Sequence, residues 1–231
     1  MKTIIALLLL LLCGGVCNAQ QSVNPHGLGF TLDPARTEPG TIEVEVGTSA
    51  GNSFDLPWVV KFTGDTGNFL FHNTEWALSG GLHGDSAALF IRRPIYESKS
   101  FALAVSPRMA FSFNGDTKPL PGLAILASVA NGLNSLVVNG EVNQTTGVVR
   151  KAVYGDYSRY LGTTSQLEKL YVFVGLQAEF TEKSVLSTGY GIAYRAKPSL
   201  EFEFVFRQLD LSNERQNVFL TAVIANLGRI Q

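Results

Sequence analysis

Apolar and polar residues alternate one by one along much of this chain. In the stretch SLEFEFVFR (199–207) the apolar positions are Leu200, Phe202, Phe204 and Phe206, and the charged positions are Glu201, Glu203 and Arg207. Successive side chains of a β-strand point to opposite faces of a sheet. The stretch therefore predicts a strand with one apolar face and one charged face.

The same alternation recurs from residue 41 to the end of the sequence. Segments that fit a strand are 41–49, 56–63, 68–79, 87–96, 101–113, 120–131, 134–143, 167–180, 184–196, 199–207 and 217–227. Turn-forming residues separate many of them, at 63–67, 114–117, 181–183, 196–199 and 212–215. No window keeps a 3.6-residue apolar stripe long enough to predict a helix.

The segment 145–165 is polar, rich in tyrosine and without a sustained period, so it predicts a strand end followed by a long surface loop. Counting one strand within it gives twelve strands in all. Omitting it together with one weak segment gives ten.

Segment length and face composition favour a sheet that faces lipid. Most segments have nine to fourteen residues, whereas strands of soluble proteins usually have about five or six, and a bilayer needs about nine to eleven tilted residues. The second face of 101–113 and of 184–196 consists mainly of Ala, Ser and Gly, as a crowded lumen requires. Aromatic residues near segment ends predict interfacial girdles: Trp58, Trp76, Tyr171, Tyr190 and Tyr194. We therefore predict an all-β fold, a single antiparallel up-and-down transmembrane β-barrel of about twelve strands.

In this fold one face of the sheet meets lipid and the other face lines the lumen. The apolar residues predicted to face lipid are Phe101, Leu103, Val105, Phe111, Phe113, Leu200, Phe202, Phe204 and Phe206. The charged residues predicted to line the lumen are Glu43, Glu45, Lys61, Glu75, Arg108, Glu141, Glu179, Glu201, Glu203 and Arg207. Charges of both signs in a lumen form either a salt-bridged plug or the wall of a selective pore, and the sequence leaves both alternatives open.

Two local features predict interruptions of the sheet. Arg92 and Arg93 are adjacent, so one of them would face lipid if the strand continued, and we expect the strand to end there. Pro107 lies within a long alternating segment and lacks an N–H group, which predicts a bulge or a break in the ladder.

The N-terminus has the pattern of a secretory signal peptide, assigned to residues 1–19. It combines Lys2, an apolar run at 4–12 and a small-x-small site ending at Ala19. Cleavage there removes both cysteines and changes the formal charge from −1 to −2, a balance that does not favour nucleic-acid binding. Residues 20–40 form a Pro/Gly-punctuated lead-in, and 41–231 form the barrel domain.

Residue patterns typical of catalysis are weak. Ser86 follows Gly84-Asp85 and lies close to His83, which faintly resembles the nucleophile block of GDS-type lipases, but no second element suggests an oxyanion hole. The three histidines have no metal-ligand spacing. We expect no catalytic residues, no metal and no cofactor.

Two stretches resemble a known family. Residues 36–78 combine a Pro/Gly turn, an E-x-E strand, a D-L-P turn and a hairpin, and residues 175–206 have the layout of closing hairpins. In both, the chain is similar to bacterial outer-membrane barrels of the family named for the MetA-pathway of phenol degradation. That resemblance implies an outer-membrane channel or transport-related barrel.

The predicted function is therefore a passive outer-membrane barrel of Gram-negative type, either a channel for small solutes or a structural barrel, and not an enzyme. The expected partners are outer-membrane lipid, the barrel-assembly machinery and small hydrophobic or aromatic solutes, without nucleic acid. Two alternatives remain: a soluble periplasmic or secreted β-sandwich that binds a ligand, and a lipid-acting barrel hydrolase.

Overall fold

A computed structural model describes residues 40–50, 54–64, 73–81, 86–113, 119–145, 148–162, 169–180, 184–197, 199–211 and 214–229. The strands are β1 (Thr41–Ala50), β2 (Phe54–Asp55), β3 (Trp58–Thr63), β4 (Glu75–Gly80), β5 (Ser86–Glu97), β6 (Phe101–Ser112), β7 (Leu120–Asn131), β8 (Asn134–Thr145), β9 (Val148–Tyr160), β10 (Leu170–Phe180), β11 (Val185–Lys197), β12 (Leu200–Leu211) and β13 (Glu214–Arg229). None of the described residues forms a helix long and apolar enough to cross a bilayer.

The strands form one antiparallel sheet that closes on itself. Strands β3 to β13 each pair with the next in sequence, and β13 pairs with β1 from Thr41 to Ala50. Both β2 and β3 pair with β1, so they are two parts of one barrel strand, interrupted at Leu56 and Pro57. The result is a closed barrel of twelve antiparallel strands, which confirms the predicted fold class.

Alternation along each strand separates an inner face from an outer face. In β1, Glu43 and Glu45 are buried, whereas Val46, the residue after Glu45, is 49% exposed. In β12, Glu203 is fully buried while its neighbour Phe204 is 56% exposed. Since the sheet is closed, the buried face is the interior and the exposed face is the outer surface.

The nine residues predicted to face lipid all lie on this outer face. Phe101, Phe113 and Phe204 are exposed, and Leu103, Val105, Phe111, Leu200, Phe202 and Phe206 are half-buried. Neighbouring strands supply the partial cover. The Phe206 ring, for example, lies 5.1 Å from Tyr190 of β11 and 5.0 Å from Phe219 of β13, measured between ring centroids.

The predicted surface loop at 145–165 is wrong, because 148–160 forms the thirteen-residue strand β9. This strand pairs along its length with β8 and β10. Its inward positions include the buried Asp156 and Ser158, and its outward positions include the exposed Arg159. Polar residues on both faces abolish the alternation, which is why the sequence pattern suggested a loop.

The predicted strand end at Arg92 and Arg93 is also wrong, because β5 continues to Glu97. Arg92 faces the interior, is 1% exposed and forms an ion pair with Glu75. Arg93 is half-buried on the outer face, four residues before the strand ends. A cation near the end of a spanning strand costs about 0–1 kcal/mol, compared with about 2–4 kcal/mol at the midplane.

Pro107 breaks the ladder without changing its register. The pairing of β5 with β6 is interrupted between Phe90 and Arg93, opposite Pro107, and resumes in the same register. A register shift occurs instead between Pro94 and Tyr96. On its other side Pro107 pairs regularly with Leu123 of β7, so the proline disturbs only one of its two neighbours.

Several predictions lie outside the described residues. These are the signal peptide at 1–19, the lead-in at 20–39 and the candidate His83. Ser86 is the first residue of β5, and His83, like the other two histidines, lies outside the described residues.

Because the outer face is apolar, an arginine placed there should destabilise the barrel according to its depth. We expect Ile125→Arg, in the middle of β7, to lower the free energy of unfolding in lipid vesicles by about 2–4 kcal/mol. Val149→Arg, at the second position of β9, is the matched control and should cost about 0–1 kcal/mol. Denaturant titration measures both, and equal losses would contradict a bilayer-spanning outer face.

Candidate functional site in the barrel interior

The interior has two ends, which we name by the course of the chain. The terminal rim is where β1 begins and β13 ends, and the far rim is where β1 ends and β13 begins. Because the strands alternate in direction, each inward side chain can be placed nearer one rim or the other. The charged interior side chains form three clusters on this basis.

The Lys61 cluster lies near the terminal rim and consists of Glu43, Glu45, Lys61, Glu75 and Arg92. Lys61 of β3 stands opposite Glu43 of β1 and donates to its carboxylate at 2.9 Å. It also donates to Glu45, two positions further along β1. Beside them Arg92 Nη2 lies 3.1 Å from Glu75 Oε1, and these two residues are directly paired in the ladder of β4 and β5. All five side chains are less than 9% exposed.

The Tyr171 cluster lies near the same rim on the strands β9 to β12. Tyr171 donates its hydroxyl to Glu201, and the same oxygen lies 3.4 Å from Glu203. Arg195 donates to the other oxygen of Glu201 from Nε at 3.0 Å and from Nη2 at 2.8 Å. The Tyr160 ring packs edge-on against Tyr171 at 5.4 Å. Two buried carboxylates therefore share one hydroxyl, and one of them also binds a guanidinium.

The predicted placement of Tyr171 in an aromatic girdle is wrong. Tyr171 is 1% exposed and points inward. It is two residues from Phe173, which is also buried, and residues two apart on a strand share a face, or parity. The Tyr171 hydroxyl finds an acceptor only in the interior, at Glu201. Trp58, Trp76, Tyr190 and Tyr194 have outward parity on their strands.

The Arg108 cluster lies toward the far rim on β6 to β10. Arg108 donates to Glu141 of β8, and Glu141 also accepts from Asn143 at 3.0 Å and from Tyr154. Next to it Glu179 of β10 accepts from Gln177 at 2.6 Å and from Arg150.

A glycine allows Arg108 to reach Glu141. The two residues lie on β6 and β8, so the arginine must cross the intervening strand β7. At the point of crossing stands Gly122, where a Cβ would lie 2.8 Å from Arg108 Cγ. The absence of a side chain lets the arginine stem lie flat against the wall.

Arg207 occupies the interior between these clusters. Its neighbour across the ladder is Gly189, and the carboxylates of Asp156 and Glu203 act on it electrostatically. It therefore lies in the field of two acidic side chains from different strands.

An apolar patch covers the wall beside the Tyr171 cluster. Its buried members are Tyr171, Phe173, Ala193, Val205, Val218 and Leu220. Phe173 lies over Gly191 of β11, where a Cβ would be 2.5 Å from Phe173 Cζ. The inward residues of β13 thus meet other apolar side chains, which explains why this strand is apolar on both faces.

All ten residues predicted to line the lumen have inward parity. Nine of them belong to the three clusters, and Arg207 lies between the clusters. The charged interior residues that sequence reasoning missed include Arg92, Arg150, Asp156 and Arg195, and the polar ones include Tyr171. Parity alone identifies Arg195, since it is two residues from the inward Ala193, whereas Asp156 was hidden in the segment interpreted as a loop.

Among the described residues, the charges of the three clusters and of the Arg207 surroundings do not cancel. The acidic members of the clusters and of the Arg207 surroundings are Glu43, Glu45, Glu75, Glu141, Glu179, Glu201, Glu203 and Asp156. The basic members are Lys61, Arg92, Arg108, Arg150, Arg195 and Arg207. Acids exceed bases by two in this set, and the whole excess lies in the two clusters at the terminal rim. In the part of the chain that the structure describes, no three His, Cys, Asp or Glu side chains are placed to hold a metal ion.

Solved structures of porins share this fold. The chain is similar to the KdgM porin in complex with disordered oligogalacturonate, with 5% identity, a TM-score of 0.64 and coverage of 80% of this chain and 99% of KdgM. It is similar to the NanC porin at 12% identity and a TM-score of 0.58, covering 80% of this chain and all of NanC. The outer membrane protein Omp33 of Acinetobacter baumannii matches at 9% identity and a TM-score of 0.50, over 82% of this chain and 98% of Omp33.

The comparisons define the class of the fold, a closed antiparallel β-barrel like those of outer-membrane porins. At identities of 5–12% the similarity concerns the fold and not the solute. No family model and no curated protein matches the chain.

Removing the cation of the Lys61 cluster should be costly, because two buried carboxylates would lose their partner. We expect Lys61→Met to lower the free energy of unfolding by about 3–5 kcal/mol. The matched control is Arg150→Met at the far rim, where the arginine is 47% exposed and the loss should be about 0–1 kcal/mol. Denaturant unfolding in detergent measures the difference, and a smaller loss for Lys61→Met than for Arg150→Met would contradict the buried cluster.

Proposed function

We propose that the protein is an outer-membrane barrel that acts as a narrow, passive channel for small solutes, without enzymatic turnover. The observation that carries this proposal is the combination of a closed sheet, an apolar outer face and an interior lined by ion-paired charges. A protein in water would have no reason to expose so many large apolar side chains on one continuous surface.

The outer-membrane location is supported by the same features. In lipid every backbone N–H and C=O group must be bonded within the protein, and a closed barrel meets that requirement without leaving an edge. The proposed partners are accordingly outer-membrane lipid and the barrel-assembly machinery. Export through a cleaved signal peptide at 1–19 belongs to this proposal and rests on the sequence pattern.

The charge balance supports neutral or cationic solutes. KdgM was solved with oligogalacturonate, an acidic sugar chain, and a negative solute would be repelled by the excess of carboxylates at the terminal rim of this barrel. The apolar patch around Phe173 and Val205 offers a surface for hydrophobic or aromatic groups. Small hydrophobic or aromatic solutes without negative charge therefore remain within the proposed range.

A structural barrel is the second candidate. Its support is that Glu75, Arg92, Glu203 and Tyr171 are only 0–1% exposed, as expected for a salt-bridged plug.

The resemblance to the family named for the MetA-pathway of phenol degradation is kept as part of the proposal. Its support is the strand and turn layout of 36–78 and 175–206.

The channel predicts a cation-preferring conductance that depends on the terminal rim. Refolded protein in planar bilayers should conduct in KCl, with a reversal potential in a salt gradient that indicates preference for K⁺. Glu203→Gln should shift that potential toward zero, because it removes one of the two excess negative charges. Lys151→Met, a change at an exposed residue of β9 with outward parity, is the control and should leave the reversal potential unchanged.

The outcomes separate the two candidates. A folded barrel without any conductance step would reject the channel and leave the structural barrel. A conducting barrel that prefers chloride would reject the proposed solute charge while keeping the channel.

A further inference from the structure

The charged residues on the described outer face of the barrel are all cations. Among strand residues whose side chains the structure describes, those that are charged and point outward are Arg93, Lys151, Arg159 and Lys197. A face that carries only positive charge is complementary to a negatively charged surface. For an apolar face in a bilayer, the adjoining surface of that kind is the layer of anionic lipid headgroups.

Arg159 lies beside two polar side chains on this face. It is exposed and stands one residue before the end of β9, at the terminal rim. Across the ladder it pairs with Asn134, the first residue of β8, and Tyr157 lies two positions before it on its own strand. In the described part of the chain, no hydrogen bond or ion pair holds its guanidinium group.

Hydrogen bonds hold the two polar neighbours in place. The Tyr157 hydroxyl donates to Asn134 Oδ1 at 2.7 Å, and Asn134 Nδ2 donates to the carbonyl of Asn131 at 3.4 Å. A carboxamide has two N–H groups and a guanidinium has five, so Arg159 and Asn134 together present several N–H donors to the outside. The carboxylate of Asp156 on the same strand is buried in the interior. A set of donors of this kind suits an anion.

The surface next to these donors is apolar. In the ladder Tyr157 stands between Leu136 and Val174, and Arg159 stands next to Val172. Both valines are exposed on the outer face. A cation and a carboxamide above a hydrocarbon-facing surface match the layout of a lipid molecule, which has its phosphate at the end of its acyl chains.

We infer that Arg159 and Asn134 bind the phosphate of an anionic phospholipid at the terminal rim, with Tyr157 as a positioning residue for Asn134. The guanidinium group binds two phosphate oxygens, and Asn134 Nδ2 donates its second N–H to the phosphate. The headgroup is anionic because an ammonium group would be repelled by Arg159. The inference rests on the proposed membrane-spanning barrel and adds the class of lipid that it binds.

Lys151 provides a comparison within the same face. It points outward near the far rim, and its ladder neighbours are the apolar residues Val142 and Phe180. Lys151 therefore supplies charge without a carboxamide or a phenol beside it. A headgroup site predicts a stronger lipid preference at Arg159 than at Lys151, whereas attraction by charge alone predicts equal preferences.

The test measures which lipid lies next to each cation. A single cysteine carries a bimane fluorophore either at position 172, beside Arg159, or at position 142, beside Lys151. The full chain is used, with Cys13 and Cys17 replaced by serine. It is refolded into phosphatidylcholine vesicles that contain nitroxide-labelled phosphatidylglycerol or nitroxide-labelled phosphatidylcholine at equal mole fraction, and quenching by the two lipids is compared.

We expect quenching to indicate preference for phosphatidylglycerol at both positions. At position 142 the preference should be about fivefold, from charge alone. At position 172 it should be about twentyfold, since hydrogen bonds from Arg159 and Asn134 add to the charge.

Three variants, measured at position 172, separate the contributions. Arg159→Gln should abolish the preference, and Arg159→Lys should lower it to about fivefold, because it keeps the charge and loses the two-pronged contact. Tyr157→Phe should lower it about threefold, since Asn134 loses the bond that orients it. The matched control is Arg150→Gln, the same change of charge at an exposed arginine that is bonded to Glu179, and it should leave the preference unchanged.

Equal preferences at positions 172 and 142 would overturn the inference, and so would an unchanged preference in Arg159→Gln. Unlabelled lipid A tests the other membrane source of phosphate. If it displaces the labelled phosphatidylglycerol more strongly than unlabelled phosphatidylglycerol does, the choice of a phospholipid is wrong.

The outcomes for this site and for the proposed function can be told apart. If neither labelled lipid quenches at either position, the outer face does not meet lipid, and both the site and the membrane barrel fail. If both lipids quench equally, the site fails and the barrel stands. A protein with the expected lipid preference but without conductance would reject the channel and keep the site.

Discussion

The pairing of β13 with β1 is the constraint on which the rest of the structure depends. It joins residues 41–50 to residues 219–229, the two ends of the sheet, and leaves no unpaired strand edge. Hydroxyl groups reinforce it, since Thr48 and Thr221 bond across this seam at 2.7 Å. Once the sheet is closed, each side chain has only two directions, outward or inward. The residue-by-residue alternation of the sequence therefore directs apolar side chains outward and polar side chains into the interior.

That division explains why the interior is arranged in clusters. Charges directed inward have left bulk water and need partners, which neighbouring strands supply at fixed register positions: Lys61 for Glu43 and Glu45, Arg108 for Glu141, and Arg195 with Tyr171 for Glu201. Long side chains reach these partners where glycine leaves the wall flat, as Arg108 does across Gly122. The same walls keep a small excess of carboxylates among the described clusters, and this excess supports the proposal on solute charge.

The sequence predicted most of this division, because parity is a local property. It placed ten charged residues on one face and nine apolar residues on the other. It was wrong where outward and inward residues are both polar, as in β9, or where position along the strand matters more than parity, as for Arg93 near the end of β5. The sequence also could not show which inward polar side chains bond to each other. The bond from Tyr171 to Glu201 joins strands two apart in the sheet, and such a contact depends on register, which no single stretch of sequence encodes.

Spin labels on β12 test the orientation of the strand most directly. Single cysteines at positions 200 to 207 each carry a nitroxide in lipid vesicles, and the accessibility of each label to oxygen is compared with its accessibility to a water-soluble nickel complex. The account predicts oxygen maxima at positions 202, 204 and 206, where Phe side chains leave the barrel for hydrocarbon, and minima at 201, 203 and 205. Maxima at the odd positions, or no two-residue period, would contradict it.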